Sequence, residues 1–357
     1  MRDFKYFNNL RSISCLTILA WLAMAANASP STPVSCGDNL SVLGKYVLES
    51  DLTCDKPLEF NVSGVHLDLG GHTLSCSSPE QWQLPPASAD TPTNDLNKWI
   101  SGIEVNFRLD TFGSSVPNIS NVQISNGSVT NCHDGIFVYH TVNSKFSHME
   151  LSGNLSDADC CFARGLELLE SHDNHIVNNE MMRNVQGLAF FYSDNNQVAG
   201  NRMAENLDVG MYIVGSVENT FSGNRSNDNI WSGIWLEGSD ANKIIGNEMN
   251  RNGDTGIILV VENSDNVIRG NQVNDNGYLD ILFPGGIVLV GAPDFGLPMP
   301  AGNTIQANVV RGNVQYDLVE TKILEFETFD YVTPVACSNL WKSNKSTVEF
   351  GPADCFD

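Results

Sequence analysis

Four residues have the types and spacing that proton-transfer chemistry needs. His133 and Asp134 stand immediately before Gly135, Arg164 stands immediately before Gly165, and Glu167 follows two residues after that glycine. Uronate elimination or epimerisation takes a cation to neutralise the sugar carboxylate, a base for the carbon-bound proton and an acid for the departing oxygen. Arg164 supplies the cation, and His133 with Glu167 or Tyr139 the proton transfers. The structural alternative is an Asp134–Arg164 ion pair at the edge of the fold, because the two hold the same place relative to their glycines. That alternative leaves Glu167 without a reason.

The elements that position these residues follow from a repeat. Gly165, Gly187, Gly210, Gly233 and Gly256 are spaced 22, 23, 23 and 23 residues apart. Asn174, Asn196, Asn219, Asn242 and Asn266 are spaced 22, 23, 23 and 24 apart, and Asn201, Asn224, Asn247 and Asn271 keep the same period. Three columns with one period mean a solenoid. The segments after each glycine, such as Gly210-Met211-Tyr212-Ile213-Val214, alternate with period two and carry no helical stripe, so each repeat is a coil of short strands. A leucine-rich repeat would need a leucine framework and a helical segment, and neither is present. The expected fold is an all-β, right-handed parallel β-helix of about nine or ten coils, stacked at ~4.8 Å per coil. The turn asparagines are expected to adopt left-handed geometry and to bond to one another in ladders.

Looser copies of the repeat begin at Gly102, Gly135 and Gly286, with the extra length in loops at 77–101, 155–163, 277–284 and 292–302. Ile136/Val138, Leu166/Leu168, Met211/Ile213, Ile234/Leu236 and Ile257/Leu259 should point inward. The intervening positions then form an outward ribbon that carries Phe137, Tyr139, Phe191, Tyr212, Trp235 and Glu237 as candidate substrate-binding residues. Aromatic rings suit the apolar faces of sugars, and an extended apolar patch is a binding surface unless a loop covers it. Glu167 and Glu237 are not a hydrolytic pair. Three coils place them ~14 Å apart, against roughly 5–9.5 Å for glycosidase carboxylates. The Gly135–Gly165 coil breaks the repeat: it is 30 residues long, holds adjacent Cys160 and Cys161, and puts charge where neighbouring coils are small or apolar. Function sits where a sequence breaks its own local rules.

Residues 1–28 read as a signal peptide: Arg2, Lys5 and Arg11 precede the apolar stretch 12–26, and Ala26-Asn27-Ala28 is a cleavage site. The remainder, 29–357, reads as one domain of an exported protein, secreted or periplasmic and monomeric, with no membrane span. The whole chain of 357 residues carries a net charge of −23, and loss of the leader takes it to −25. Such a surface repels nucleic acid and anionic membranes. Of nine cysteines, Cys15 leaves with the leader. The other eight, Cys36, Cys54, Cys76, Cys132, Cys160, Cys161, Cys337 and Cys355, are expected to be oxidised. Cys36 with Cys54 and Cys337 with Cys355 would close the two ends, and Cys76 and Cys132 occupy equivalent repeat positions; the connectivity stays open. Asp157 and Asp159 offer oxygen ligands for Ca²⁺, without an EF-hand loop, so no cofactor or metal site is assigned.

The repeat GN…N..GI.L..S..N.I, with the opening segment from Gly44 to Cys76 and the closing segment from Cys337 to Cys355, resembles the parallel β-helix repeat proteins. That group includes the NosD-like periplasmic proteins and the carbohydrate-binding and sugar-hydrolysing β-helices. The resemblance implies a right-handed parallel β-helix that acts on polysaccharide as a lyase, epimerase or hydrolase. The alternatives are a non-catalytic β-helix that binds glycans or a surface partner, and a structural spacer. The sequence lacks the Asp-Pro-His signature of alginate epimerases and the motifs of polygalacturonases. The copper role of NosD-like proteins does not carry over, because His133, His140, His148, His172 and His175 are scattered.

Overall fold

A computed structural model describes residues 30–77, 101–106, 116–155, 163–279, 281–323, 331–332, 336–352 and 355–356. The chain winds into a right-handed parallel β-helix, the hand expected for parallel crossovers. One sheet takes a single strand from each coil: Ile103–Val105, Ile136–Tyr139, Arg164–Leu169, Gln186–Phe191, Met211–Val214, Ile234–Glu237, Thr255–Val260, Gly285–Gly291 and Tyr316–Ile323 stack in this order, all in parallel. The other sheet takes two short strands from each regular coil, for example Gln197–Ala199 and Arg202–Ala204, then Thr220–Ser222 and Arg225–Asn227.

Period-two alternation decides which side chains fill the interior. Ile136, Val138, Leu166, Leu168, Met211, Ile213, Ile234, Leu236, Ile257 and Leu259 are all fully buried, as their spacing predicts. Val198, Phe221, Ile244, Ile268 and Ile305 meet them from the second sheet. The column of glycines that heads the single-strand sheet has a steric cause. A Cβ on Gly233 would lie 2.6 Å from the Gly256 carbonyl oxygen and 2.9 Å from the Met249 side chain. The coils could not stack that closely around any larger residue.

Three asparagine ladders run along the stack. In the first, Asn219 Oδ1 accepts the backbone N–H of Asn196 at 2.8 Å and its side-chain amide at 3.1 Å. Asn219 in turn donates to the Ser193 carbonyl at 2.9 Å and to Asn242 at 3.1 Å. The second ladder, through Asn201, Asn224, Asn247 and Asn271, repeats this pattern. The third, through Asn206, Asn229, Asn252, Asn276 and Asn313, ends with Asn313 donating to the Asp317 carboxylate at 2.8 Å. Each bond contributes about 0.5–1.5 kcal/mol net, and an orphaned buried partner costs more. Ser171, Ser193, Ser216 and Ser239 add a fourth column, in which each hydroxyl oxygen after the first accepts the backbone N–H of the serine before it.

The ladder asparagines are not themselves left-handed, contrary to the sequence expectation. The left-handed residue is the one before: Gly223 and Gly246 at φ 61° and 63°, but also Glu218, Ala241 and Arg251 at 58°, 55° and 55°. That residue turns the corner, and the turn aims the following amide inward along the stack. Glycine relieves the strain at some corners, and the ladder bonds hold the others. Asn154 and Asn224, each the first residue of an Asn-x-Ser acceptor sequence for N-glycosylation, are buried ladder positions.

Cys36–Cys54, Cys76–Cys132 and Cys337–Cys355 are disulfides. Cys160, Cys161, Asp157 and Asp159 lie outside the described residues. No helix among the described residues is long and apolar enough to cross a membrane.

Candidate functional site

The outward positions of the single-strand sheet form two columns. The first runs Glu59, Glu104, Phe137, Glu167, Ala189, Tyr212, Trp235, Ile258 and Val288 in exact strand register. The second runs Tyr139, Leu169, Phe191, Val214, Glu237, Val260 and Val290. Glu167 and Glu237 therefore lie in different columns, three coils apart.

The ribbon is not uniformly exposed. Beyond Trp235 it is covered. Ile258, Val288, Val290, Phe283, Ala292 and Val319 make a second buried cluster, with Trp235, Leu282 and Leu297 packed against it. The loop after Gly277 brings Phe283 edge-on to Trp235, with ring centroids 6.1 Å apart. Before Trp235 the ribbon holds charge and rings: Phe137, Phe191, Tyr212 and Glu237 are partly exposed, whereas Tyr139, Glu167 and Ala189 are buried.

Arg164 organises the charged stretch. Its guanidinium donates from Nη1 to Glu167 Oε2 at 2.5 Å and from Nε to Gln186 Oε1 at 3.0 Å. Its Cζ sits 5.0 Å from the centroid of the Phe191 ring, a cation–π arrangement. The expected Asp134–Arg164 side-chain pair takes another form. Asp134 Oδ1 accepts the backbone N–H of Arg164 at 2.9 Å, and Asp134 Oδ2 is 3.1 Å from His133 Nδ1. The cause is direction. Stacked strands bring the Arg164 backbone N–H to Asp134, while the side chain turns along its own strand to Glu167. Glu167 thus has its structural reason, as the partner of Arg164. Gln186 extends the network by donating from Nε2 to Asp208 Oδ2 at 2.8 Å, and the Tyr212 hydroxyl donates to Glu237 Oε2 at 3.3 Å.

Burial and crowding shift the acids. Burial, with repulsion from Glu59 and Asp134, pushes the Glu104 carboxyl up to about 8. Burial pushes Glu167 up to about 7 against the opposing pull of Arg164. Asp208 is raised, chiefly by burial, and so is the Tyr212 hydroxyl, with Glu237 adding to it. Glu104, Glu59, Gln186 and Asp208 are members of this site that the sequence reading missed. A signal for Glu104 was present: it stands two residues after Gly102, as Glu167 stands two residues after Gly165.

The family described as periplasmic copper-binding protein (NosD) matches residues 96–281, just over half of the chain. The chain belongs to the NosD family. Two solved structures have the same fold at low sequence identity. The periplasmic alginate epimerase AlgG is 15% identical with a TM-score of 0.51, over 81% of this chain and 73% of that one. The A-module of the Azotobacter vinelandii mannuronan C-5 epimerase AlgE6 is 14% identical with a TM-score of 0.51, over 92% and 87%. No curated protein matches the chain. Copper takes clustered imidazole, thioether or thiolate donors. Among the described residues of this NosD-family chain, no three His, Cys, Asp or Glu side chains gather closely enough to hold a metal ion. The described cysteines are tied in disulfides, and Met181, Met203, Met211 and Met249 are sealed in the core. This donor set does not fit copper.

Proposed function

We propose that this exported β-helix acts on a polysaccharide laid along the ribbon between Glu59 and Trp235, with Glu104 and Glu167 as an acid–base pair that hydrolyses the glycosidic bond. The observation that carries the reading is the placement of these two carboxyls. They share one outward column on either side of Phe137. Two coil steps make roughly 10 Å at the backbone, just beyond the roughly 6.5–9.5 Å that an inverting pair leaves for a water, a gap that a small lean of the two side chains closes. Their ionisation fits the division of labour. Glu104, up at about 8, is protonated at neutral pH and donates to the departing glycosidic oxygen. Glu167, near 7, is partly ionised and takes the proton of the attacking water. His133, Asp134 and Arg164 orient and balance Glu167, and Phe137, Tyr139, Phe191, Tyr212, Trp235 and Glu237 make up the sugar-binding strip. The two solved relatives are named for epimerising alginate and mannuronan, which supports a polysaccharide as the partner. Three disulfides fit an oxidising, extracytoplasmic location.

The test is a screen of purified protein against neutral, amino-sugar and uronate polysaccharides, following both reducing ends and ultraviolet-absorbing unsaturated ends. The expected result is new reducing ends without unsaturation, reduced at least 100-fold in Glu104→Gln and in Glu167→Gln. Unsaturated ends would point to elimination instead. The burial of Glu167 within its pair with Arg164 favours one second reading, a glycan-binding β-helix without turnover. Retention on a glycan column with no products would decide for it.

A further inference from the structure

We infer that the polymer preferred by this ribbon is one of amino sugars bearing free ammonium groups, and that polyuronates are excluded. The inference rests on the glycan-binding reading and adds the charge of the substrate to it. Glu59, Glu104, Asp134, Glu167, Asp208 and Glu237 all stand on or beside the stretch from Glu59 to Trp235. On the strands of this sheet from Ile103 to Glu237, Arg164 is the one lysine or arginine. A uronate-processing site needs a cation free to meet the sugar carboxylate, and Arg164 is not placed for that. Its side chain is buried, with Nη1 on Glu167, Nε on Gln186 and Cζ over the Phe191 ring. A uronate would have to displace Glu167 and then lie beside Glu59, Asp134 and Glu237, with Glu104 protonated at neutral pH and adding no charge of its own.

The same field attracts an ammonium. Clefts lined by one sign of charge concentrate ions of the other sign, and the effect weakens with salt. The rings add to it, since an ammonium over the face of Tyr212 or Trp235 is stabilised as the guanidinium is over Phe191. The half-exposed Glu237, held by the Tyr212 hydroxyl at 3.3 Å, offers a carboxylate at the rim of that strip.

The experiment compares three β-1,4-linked oligosaccharides of equal length, built from glucosamine, glucose and mannuronate, by titration calorimetry at low and moderate salt. The glucosamine oligomer should bind at least tenfold more tightly than the glucose oligomer at low salt, with the gap narrowing as salt rises, and the mannuronate oligomer should give no measurable heat. A polycation also meets a protein of net charge −23 without any site, so two charge reversals locate the effect. Glu237→Lys should abolish the preference, and Glu180→Lys, an exposed change on the other sheet, should keep it. Equal loss in both variants, or mannuronate binding as well as glucose, overturns the inference and leaves the glycan reading standing. Binding by none of the three, together with no turnover or retention in the wider screen, overturns the glycan reading itself.

Discussion

The outward ribbon has two halves built on the same strands. From Glu59 to Trp235 it carries carboxylates and rings; from Ile258 to Val319 it carries aliphatic side chains under the loops around 277–284 and 292–302. The backbone geometry of the coils does not distinguish the halves, and period two assigns both outward. What differs is whether a following loop folds back. The covering loop is anchored: Asp254, itself fully buried, accepts the backbone N–H groups of Leu282 and Phe283 at 3.0 and 2.8 Å. A β-helix therefore fixes inside and outside by its repeat, and open and closed by its insertions.

The largest effect that would break this comparison is chemical. If the uncovered half is the working half, Glu104→Gln and Glu167→Gln each cost at least about 100-fold in turnover, while Val290→Ala in the covered half leaves turnover within a factor of a few. The rate should follow a bell in pH, with its acid limb near 7 from Glu167 and its alkaline limb near 8 from Glu104. Similar losses at Val290 would erase the distinction. Glu104 also has a readout that needs no substrate. Its value is raised in the folded state, so the fold holds that proton more tightly than the unfolded chain does. The stability this confers is complete below about 4.5 and is lost as pH rises through about 8. Melting temperatures measured from pH 5 to pH 9 should fall more steeply for the wild type than for Glu104→Gln.

Next comes packing. Phe283→Ala should cost about 3 kcal/mol of stability, because the side chain is buried against the covered half. Phe191→Ala, partly exposed on the uncovered half, should cost less than half of that, and denaturant melts of the pair measure the difference. Equal costs would mean that the uncovered half is closed as well. Asn219→Ala removes ladder bonds common to both halves and should cost about 2 kcal/mol through the buried groups it orphans. An unchanged melting temperature would remove the ladders from the account of stability. The smallest effect belongs to the surface: Asp228→Ala, which breaks an exposed pair with Arg251, should change stability by less than about 1 kcal/mol.

Much of the fold was legible because stacking writes a period into the chain. Gly233 and its equivalents are small because the next coil's carbonyl lies 2.6 Å from where a Cβ would go, and a steric demand repeated at every coil appears as a column in the sequence. The site was less legible because only Glu104 and Glu167 share a place in the repeat, and their partners do not. Glu167 could be singled out as an exception, but whether the Arg164 side chain pairs with it or with Asp134 could not be chosen without the direction of that side chain. The cover over Ile258 and Val288 was unreadable for another reason: Phe283 reaches them from a loop, and loops carry no period. The third asparagine column stands in the repeat as the second Asn of GN…N..GI, but that it forms a ladder of its own is shown only by its hydrogen bonds.

The third ladder also gives the molecule an electrical direction. From Asn206 through Asn229, Asn252 and Asn276 to Asn313, every side-chain amide accepts at its oxygen from the N-terminal side and donates one N–H to the next asparagine, its other N–H going back to a carbonyl of the preceding coil. The amide dipoles therefore add head to tail, as peptide dipoles do in an α-helix. The positive pole of that array falls at Asn313, and there a carboxylate, Asp317, receives the last proton. Asp317 also accepts the backbone N–H of Thr347 at 2.7 Å from the closing segment. It neutralises the pole and occupies the Asn313 donor that a further asparagine of this ladder would meet. This ladder thus ends on a charge, while the other two run on to Asn339 and Asn344 in the closing segment.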